Sequence, residues 1–267
     1  NYFMLIPLEE RKKVKYVSFD MWETYRIITK HVFPNAVCIT DHFHVTQELN
    51  RRVDRVRIRV QNRFRKTIKT LKPKENNKTI TPEEIVELEE ASRYYYVLKK
   101  FNWLLASTNK KILDVNVERR FNRTLNRYLN YSEILAYMLN IDDELEEAFY
   151  LRNDVTYFYD HCTYDTAKKQ LEKIIIDFRS STVAEMSPFA NTLTNWKKEI
   201  INSFIIVDDK VNRKMNTAIV ENRNKSIKLI KHASNGYLNW ERFRNRILYT
   251  LNEDTTFYYT SIRKDGK

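Results

Sequence analysis

Val14-Lys15-Tyr16-Val17-Ser18-Phe19-Asp20 and, further along, Ala36-Val37-Cys38-Ile39-Thr40-Asp41 are the two stretches that decide the fold. The first is rich in β-branched and aromatic residues and the second is a short apolar run; each reads as a short strand that closes on an aspartate. Between them Trp22, Tyr25, Ile28 and Val32 recur at helical spacing until Pro34 stops the pattern. A strand–helix–strand unit of this length gives a parallel pair. Both carboxylates then fall at C-terminal strand ends, where open α/β sheets hold their ligands.

Working outward, Val45, Leu49, Val53, Val56, Val60, Phe64, Ile68 and Leu71 step by three or four, which predicts one long amphipathic helix from His44 to about Leu71. Arg51, Arg55, Arg59 and Arg63 occupy its other side, and the polar run Lys72–Thr79 is expected to end it. Thr81-Pro82-Glu83-Glu84 restarts a helix with a capping box and proline at the first helical position. From there to about Phe204 the pattern predicts helices only: 82–107, 115–130, 132–140, 143–160, 165–179 and 188–204. Ser132, Thr163 or Asp165, and Ser187 are the expected caps. Tyr94, Tyr95, Tyr96, Trp103, Phe149, Tyr150, Tyr157, Phe158 and Tyr159, at helical spacing, read as helix-packing core rather than base-stacking platforms. Two helices close the chain, one from about Asn216 to Ala233 with Asn235-Gly236 as a left-handed cap, one from Trp240 to about Leu251. Two glycines and five prolines in 267 residues leave little material for tight turns, so helices must dominate a mixed α/β fold.

The chain is long enough for one large domain, or one domain carrying a big insertion. Forty-seven Lys and Arg against thirty-five Asp and Glu give a net charge of +12, the footprint of a protein that works on polyphosphate. Nucleic acid leads the partner classes on charge, with a ribosome-associated protein, a membrane-surface protein or merely a soluble basic protein as the alternatives that composition alone leaves open. Cys38 and Cys162 are far apart, so neither a disulfide framework nor a cysteine zinc site is readable, and a reducing cytoplasm fits. No apolar run reaches the roughly 18 residues of a membrane span. Residue 1 is Asn, so the chain is expected to begin inside a longer protein.

The residues that could carry chemistry are few. Asp20 ends its strand; Glu221 shares a helix face with Asn224, Lys225 and Lys228, while Ile219, Ile227 and Ile230 take the opposite side. On pattern alone a solvated helix face explains Glu221 as well, because Glu-to-Lys pairs decorate many exposed helices. Asp41-His42-Phe43-His44 reads as a helix entry with Asp41 as cap or supporting group before it reads as a metal cluster. The Asp142-Asp143 and Asp208-Asp209 pairs, without basic or His partners nearby in sequence, read as solvated turns. The arginine stripe Arg51-Arg55-Arg59-Arg63 can track a DNA backbone or serve solubility and local pairing.

Specific wording adds to this. Val14 to Trp22, then Tyr25, Phe33-Pro34-Asn35-Ala36 and Thr40-Asp41-His42-Phe43-His44-Val45, resembles the DDE transposases of the bacterial insertion-sequence family called ISL-three. At the far end, Glu221-Asn222-Arg223-Asn224 with Ile227-Lys228 and Ile230-Lys231 is similar to that family's Glu-Gly-x-Asn-x-x-Ile-Lys signature, and Asn235-Gly236-Tyr237-Leu238-Asn239-Trp240-Glu241-Arg242-Phe243-Arg244 to its closing segment. Asn222 stands where the family usually has Gly, and nothing before Val14 supplies the family's first catalytic Asp.

The resemblance implies a ribonuclease-H-like fold, partial in this chain, with 1–45 and 206–267 forming that part and 46–205 an all-helical insertion. It implies Asp20 and Glu221 as catalytic, metal-binding carboxylates for Mg²⁺ or Mn²⁺, supported by Asp41, His44 and Asn224. DNA would meet Arg51, Arg55, Arg59, Arg63, Lys225, Lys228 and Lys231. The implied activity is cleavage and strand transfer at transposon ends into target duplex DNA, in the bacterial cytoplasm at the nucleoid, with homo-oligomers among the partners and no membrane. With its first Asp absent, the chain is expected to be inactive alone. The rival readings are a truncated transposase relic that only binds DNA or assembles, and a helical RNA-associated scaffold.

Overall fold

The computed structural model describes the backbone of residues 2–208, 213–214 and 218–251, and the side chains of 3–206 and 222–251. The chain forms two compact units, 1–215 and 216–267.

In the first unit, β1 (Tyr16–Phe19) and β2 (Val37–Thr40) pair in parallel, Tyr16 opposite Val37 through Phe19 opposite Thr40. The helix that crosses between them is α2 (Glu23–Val32). Before β1, a 3-10 turn (Tyr2–Leu5) leads into the short α1 (Leu8–Lys12). Arg11 on α1 donates from Nη1 to the Val32 carbonyl at 2.8 Å, tying the entry of the chain to the end of α2. The expected strand–helix–strand unit is therefore present. Its helix is turned unexpectedly: Trp22, Tyr25 and Ile28 are solvent-exposed while Thr29 and Val32 are buried.

The long helix α3 (His42–Asn76) begins directly after β2 and, at 1.5 Å per residue, runs about 52 Å. Val45, Leu49, Val53, Val56 and Val60 are all buried along one stripe, as their spacing predicts. The helix does not end at the polar run from Lys72. It continues through Pro73 and stops where Lys78 takes a left-handed φ of 57°. There Thr79 N donates to Lys74 O at 2.9 Å and Lys78 N to Glu75 O at 3.1 Å, satisfying the orphan carbonyls of the last turn.

Helix α4 (Pro82–Lys100) starts with the expected capping box: the Thr81 side chain accepts from Glu84 N, and the Glu84 side chain accepts from Thr81 N. A 3-10 turn (Asn102–Ala106) follows. The region beyond is not all-helical. Where a helix over 115–130 was expected, β3 (Arg120–Asn122) and β4 (Arg127–Leu129) form an antiparallel hairpin. Asparagine decides the matter, because its short amide bonds its own backbone in turns and tolerates left-handed geometry. The Asn122 side chain accepts from Leu125 N at 3.1 Å, Asn126 sits at φ 50°, and Asn130 caps the next helix.

That next helix is α5 (Tyr131–Leu139), capped by Asn130 with Glu133 rather than by Ser132. Helix α6 (Asp143–His161) is capped by Asp142, and α7 (Tyr164–Ser180) by Thr163. The expected helix 188–204 is split at Trp196 into α8 (Phe189–Asn195) and α9 (Lys197–Asn202), with Pro188 and not Ser187 at the cap position. One hydrophobic cluster runs from Phe19 and Cys38 on the sheet through α3, α4, α6 and α7 to Phe204. Phe149 and Phe158 join it, whereas Tyr150, Tyr157 and Trp103 are exposed, so the aromatic residues divide between core and surface. Strands β5 (Ile206–Asp208) and β6 (Arg213–Lys214) then pair antiparallel. Asp208 accordingly lies in a strand rather than a turn, and Asp209 is outside the described residues.

The second unit holds α10 (Ala218–Ala233) and α11 (Trp240–Leu251). Between them Asn235 and Gly236 adopt φ of 50° and 97°, and Gly236 N donates to Lys231 O at 2.9 Å, the expected left-handed cap. Tyr237 and Trp240 pack on Phe243, with ring centroids 5.0 and 5.9 Å apart.

Candidate functional site

The end of the parallel pair places two aspartates one step beyond the Phe19–Thr40 register, and their surroundings differ sharply. Asp20 is exposed at the mouth of β1, its backbone carbonyl accepting from Trp22 N at 2.6 Å. His44, in the first turn of α3, brings Nε2 to 2.6 Å from Asp20 Oδ1 and so fixes the orientation of the carboxylate.

Asp41 is 3% exposed. Its Oδ1 accepts from Phe43 N at 2.9 Å, making it the N-cap of α3, and His42 Nδ1 lies 3.4 Å away. Tyr159 of α6 is its neighbour across the core: burial first, and the negative charge of Asp41 second, hold the phenol above its ordinary pKa. Asp41 is thus occupied in starting the longest helix of the molecule. Asp41→Ala should cost about 0.5–2 kcal/mol in chemical denaturation, while Asp41→Asn, which keeps the acceptor, should cost at most a few tenths. Equal losses in the two variants would remove the capping role.

A hard divalent cation takes oxygen ligands from carboxylates. Asp20 offers its carboxylate to solvent, whereas Asp41 is buried and spends Oδ1 on the Phe43 N–H. Among the described residues no group of three or more His, Cys, Asp or Glu side chains gathers in one place, so Asp20 and His44 do not by themselves complete a coordination sphere. Glu221 belongs to α10, but its side chain lies outside those described. Asn224, Lys225, Lys228 and Lys231 are exposed on the same helix, and Ile227 and Ile230 are partly covered on its other side.

The arginine stripe of α3 is not uniformly free. Arg59 grips Glu185 through two bonds of 2.9 Å and also pairs with Glu144, and it holds the Glu185 carboxyl below the usual glutamate range. Arg63 pairs with Asp142. Asp142 therefore has a basic partner and a capping role, accepting from Leu145 N at 3.1 Å, and is no solvated turn. Arg51 lies 3.8 Å from Glu48, and Arg55 is exposed and makes no ion pair among the described residues.

Sequence patterns gave no sign of Arg26. From α2 its guanidinium lies 3.8 Å over the Trp196 ring, donates to Asn195 O at 3.1 Å and approaches the buried Glu199 at 3.3 Å. This contact turns α2, pointing its polar side at α8 and α9 and leaving Trp22, Tyr25 and Ile28 outside.

No helix of the described residues is long and apolar enough to cross a membrane. No solved structure matches the chain. Among curated proteins, the transposase for insertion sequence element IS1001 of Bordetella parapertussis is 24% identical over 243 residues, covering 91% of this chain and 48% of that protein. The chain thus spans about half the length of the curated relative it matches. A family model described as a transposase, that of the ISL3 group of DDE transposases, matches residues 1–247. With that match running over nearly the whole sequence, from before β1 into α11, the chain belongs to the ISL3 family of DDE transposases.

Proposed function

We propose that this chain carries the catalytic part of a DNA transposase, with Asp20 and Glu221 as two of the carboxylates that serve phosphodiester cleavage and strand transfer at transposon ends. The observation that carries this reading is the exposed Asp20 at the C-terminal end of a parallel strand, held at 2.6 Å by His44. In this reading β1, α2 and β2 belong to a ribonuclease-H-like fold, residues 46–205 are its insertion, and 206–267 return to it with the Glu-bearing helix. Mg²⁺ or Mn²⁺ held by these carboxylates would supply activation of the attacking oxygen and stabilisation of the leaving one. Asp20 holds its carboxylate toward solvent, His44 orients it, Asp41 anchors the helix that carries His44, and Asn224 follows Glu221 by three positions on α10.

DNA would approach along exposed cations. On α3 that role falls to Arg55 and to Arg51, which is exposed and whose 3.8 Å pair with Glu48 lies within its own helix, because Arg59 and Arg63 are held closer by carboxylates of other segments. On α10 it falls to Lys225, Lys228 and Lys231. Work on chromosomal DNA places the protein in the bacterial cytoplasm. Arg51→Glu with Arg55→Glu is expected to weaken duplex binding and to lower the slope of log affinity against log salt by about two, if each arginine meets one phosphate. An unchanged slope would remove α3 from the DNA surface.

The deciding experiment is a cleavage and strand-transfer assay on DNA carrying the element's ends, with Mg²⁺ or Mn²⁺, on the protein together with whatever its reading frame encodes upstream. Metal-dependent cutting at those ends supports the proposal. Tight binding without any cutting would support a non-catalytic transposase relic instead.

A further inference from the structure

The hairpin of β3 and β4 has a composition its own packing does not require. Residues 110–129 contain six basic side chains, Lys110, Lys111, Arg119, Arg120, Arg123 and Arg127, against two acidic ones, Asp114 and Glu118. Arg119 is taken by Glu133. Arg120, Arg123 and Arg127 are exposed, and no carboxylate pairs with them among the described residues.

The hairpin is also anchored. Leu125 at its tip is buried and belongs to the main hydrophobic cluster, and Leu129 packs against that cluster. Asn130, immediately after β4, donates from Nδ2 to the carbonyls of Val115 at 3.0 Å and Val117 at 3.2 Å, fixing the segment that leads into β3. Side chains alternate along a strand, so with Leu129 turned inward its neighbour Tyr128 must turn outward. Tyr128 is opposite Phe121, and the two rings lie 5.1 Å apart on the outer face, 67% and 49% exposed. Two aromatic rings held in water on a rigid, cationic hairpin forgo burial that the adjacent core could have supplied. A groove of about 470 Å³ runs beside them, lined by Lys100, Arg120, Phe121 and Tyr131 among others.

We propose that this hairpin is a DNA-contacting element, in which Arg120, Arg123 and Arg127 meet phosphates and the Phe121–Tyr128 pair stacks on bases exposed where the duplex is unpaired. Both halves follow from general chemistry. Uncompensated guanidinium groups match a phosphate backbone. Exposed aromatic faces beside them match the π-face of any unstacked base, as in proteins that hold single strands. Blunt duplex DNA hides those faces within its stack, so the aromatic pair discriminates for opened DNA while the arginines serve both forms. The inference rests on the reading of this chain as a DNA enzyme and assigns it residues other than Asp20 and the Arg51 and Arg55 pair of α3.

The test compares a short blunt duplex with the same duplex carrying a central unpaired bubble, each titrated against the 267-residue chain. Phe121→Leu with Tyr128→Leu keeps the cross-strand apolar contact and removes the rings. This variant should lose about tenfold or more in affinity for the bubble and at most about twofold for the blunt duplex. Arg123→Glu with Arg127→Glu should weaken both and lower the salt slope by about two. If the leucine variant binds the bubble as the parent does, or only an alanine variant with a collapsed circular dichroism spectrum loses affinity, the pair serves hairpin stability and the stacking role is overturned. An unchanged salt slope in the arginine variant overturns the phosphate role. Failure of the hairpin alone is recognised when the parent binds DNA and Arg51→Glu with Arg55→Glu weakens it while the hairpin variants do not. Failure of the parent to bind any DNA would instead bring down the reading on which the inference rests.

Discussion

Asp20→Asn, made in the protein together with whatever its reading frame encodes upstream, is expected to lower DNA strand cleavage by about a thousandfold or more while leaving duplex affinity within about twofold, because losing a member of a catalytic unit costs several orders of magnitude. The substitution is nearly isosteric and exposed at a strand end, so the fold has no reason to change. What changes is charge: an amide is a far poorer ligand for a hard divalent cation than a carboxylate. It also removes the negative charge that faces His44 Nε2, 2.6 Å away. His44→Ala should do less, since the carboxylate remains but loses its orientation. A parallel assay of Asp41→Asn separates the two aspartates: as a helix cap that variant should retain most cleavage. Cleavage by Asp20→Asn within a few fold of the parent, with Asp41→Asn inactive, would exchange the roles assigned to them.

Phe158→Ala is expected to destabilise the first unit by about 3–5 kcal/mol, the range for truncating a large aromatic side chain in a closed core. Phe158 is 1% exposed and sits 4.9 Å from the Phe204 ring, where the end of α6 meets the segment after α9. Tyr159, its neighbour, stacks on Phe204 at 5.8 Å with nearly parallel planes and meets the Phe158 ring edge-on at 5.0 Å. Removing the Phe158 ring therefore opens a void under the residue that faces Asp41, in the part of the core that supports the start of α3. Phe158→Leu keeps most of the volume and should cost about 1 kcal/mol. Urea denaturation followed by far-ultraviolet circular dichroism measures both. A loss below about 1 kcal/mol for Phe158→Ala would mean that the site collapses around the gap or that the stack is not formed.

The parts of the fold that were legible from sequence are those specified locally. The β1–α2–β2 unit follows from two apolar runs and the helical period between them. The Asp41 cap, the Thr81–Glu84 box and the Asn235-Gly236 cap follow from single residues whose side chains or φ angles do one thing well. What escaped is specified at a distance. Arg59 and Arg63 look like a free stripe on a helical wheel, but their partners lie 85 to 126 positions away at Glu144 and Glu185, and 79 at Asp142. Arg26 reorients α2 through Asn195, 169 positions on. The hairpin at 120–129 was lost for a different reason: an apolar period can be found across it, while the asparagines at 122, 126 and 130 argue for turns and a cap. Weighting those residues above the period would have found it. Of the candidate site, Asp20 and its position were readable, whereas the bond to His44 depends on how α3 leaves the sheet and no spacing rule supplies that.

The central proposal is that Asp20 serves as a metal-binding carboxylate of a DNA-cutting enzyme. A crystal structure of the protein with Mn²⁺ tests it most directly. Density for an ion ligated by the Asp20 carboxylate, at roughly 2.1–2.6 Å, is the expected result. An ordered structure with Mn²⁺ bound elsewhere and none at Asp20 would contradict it.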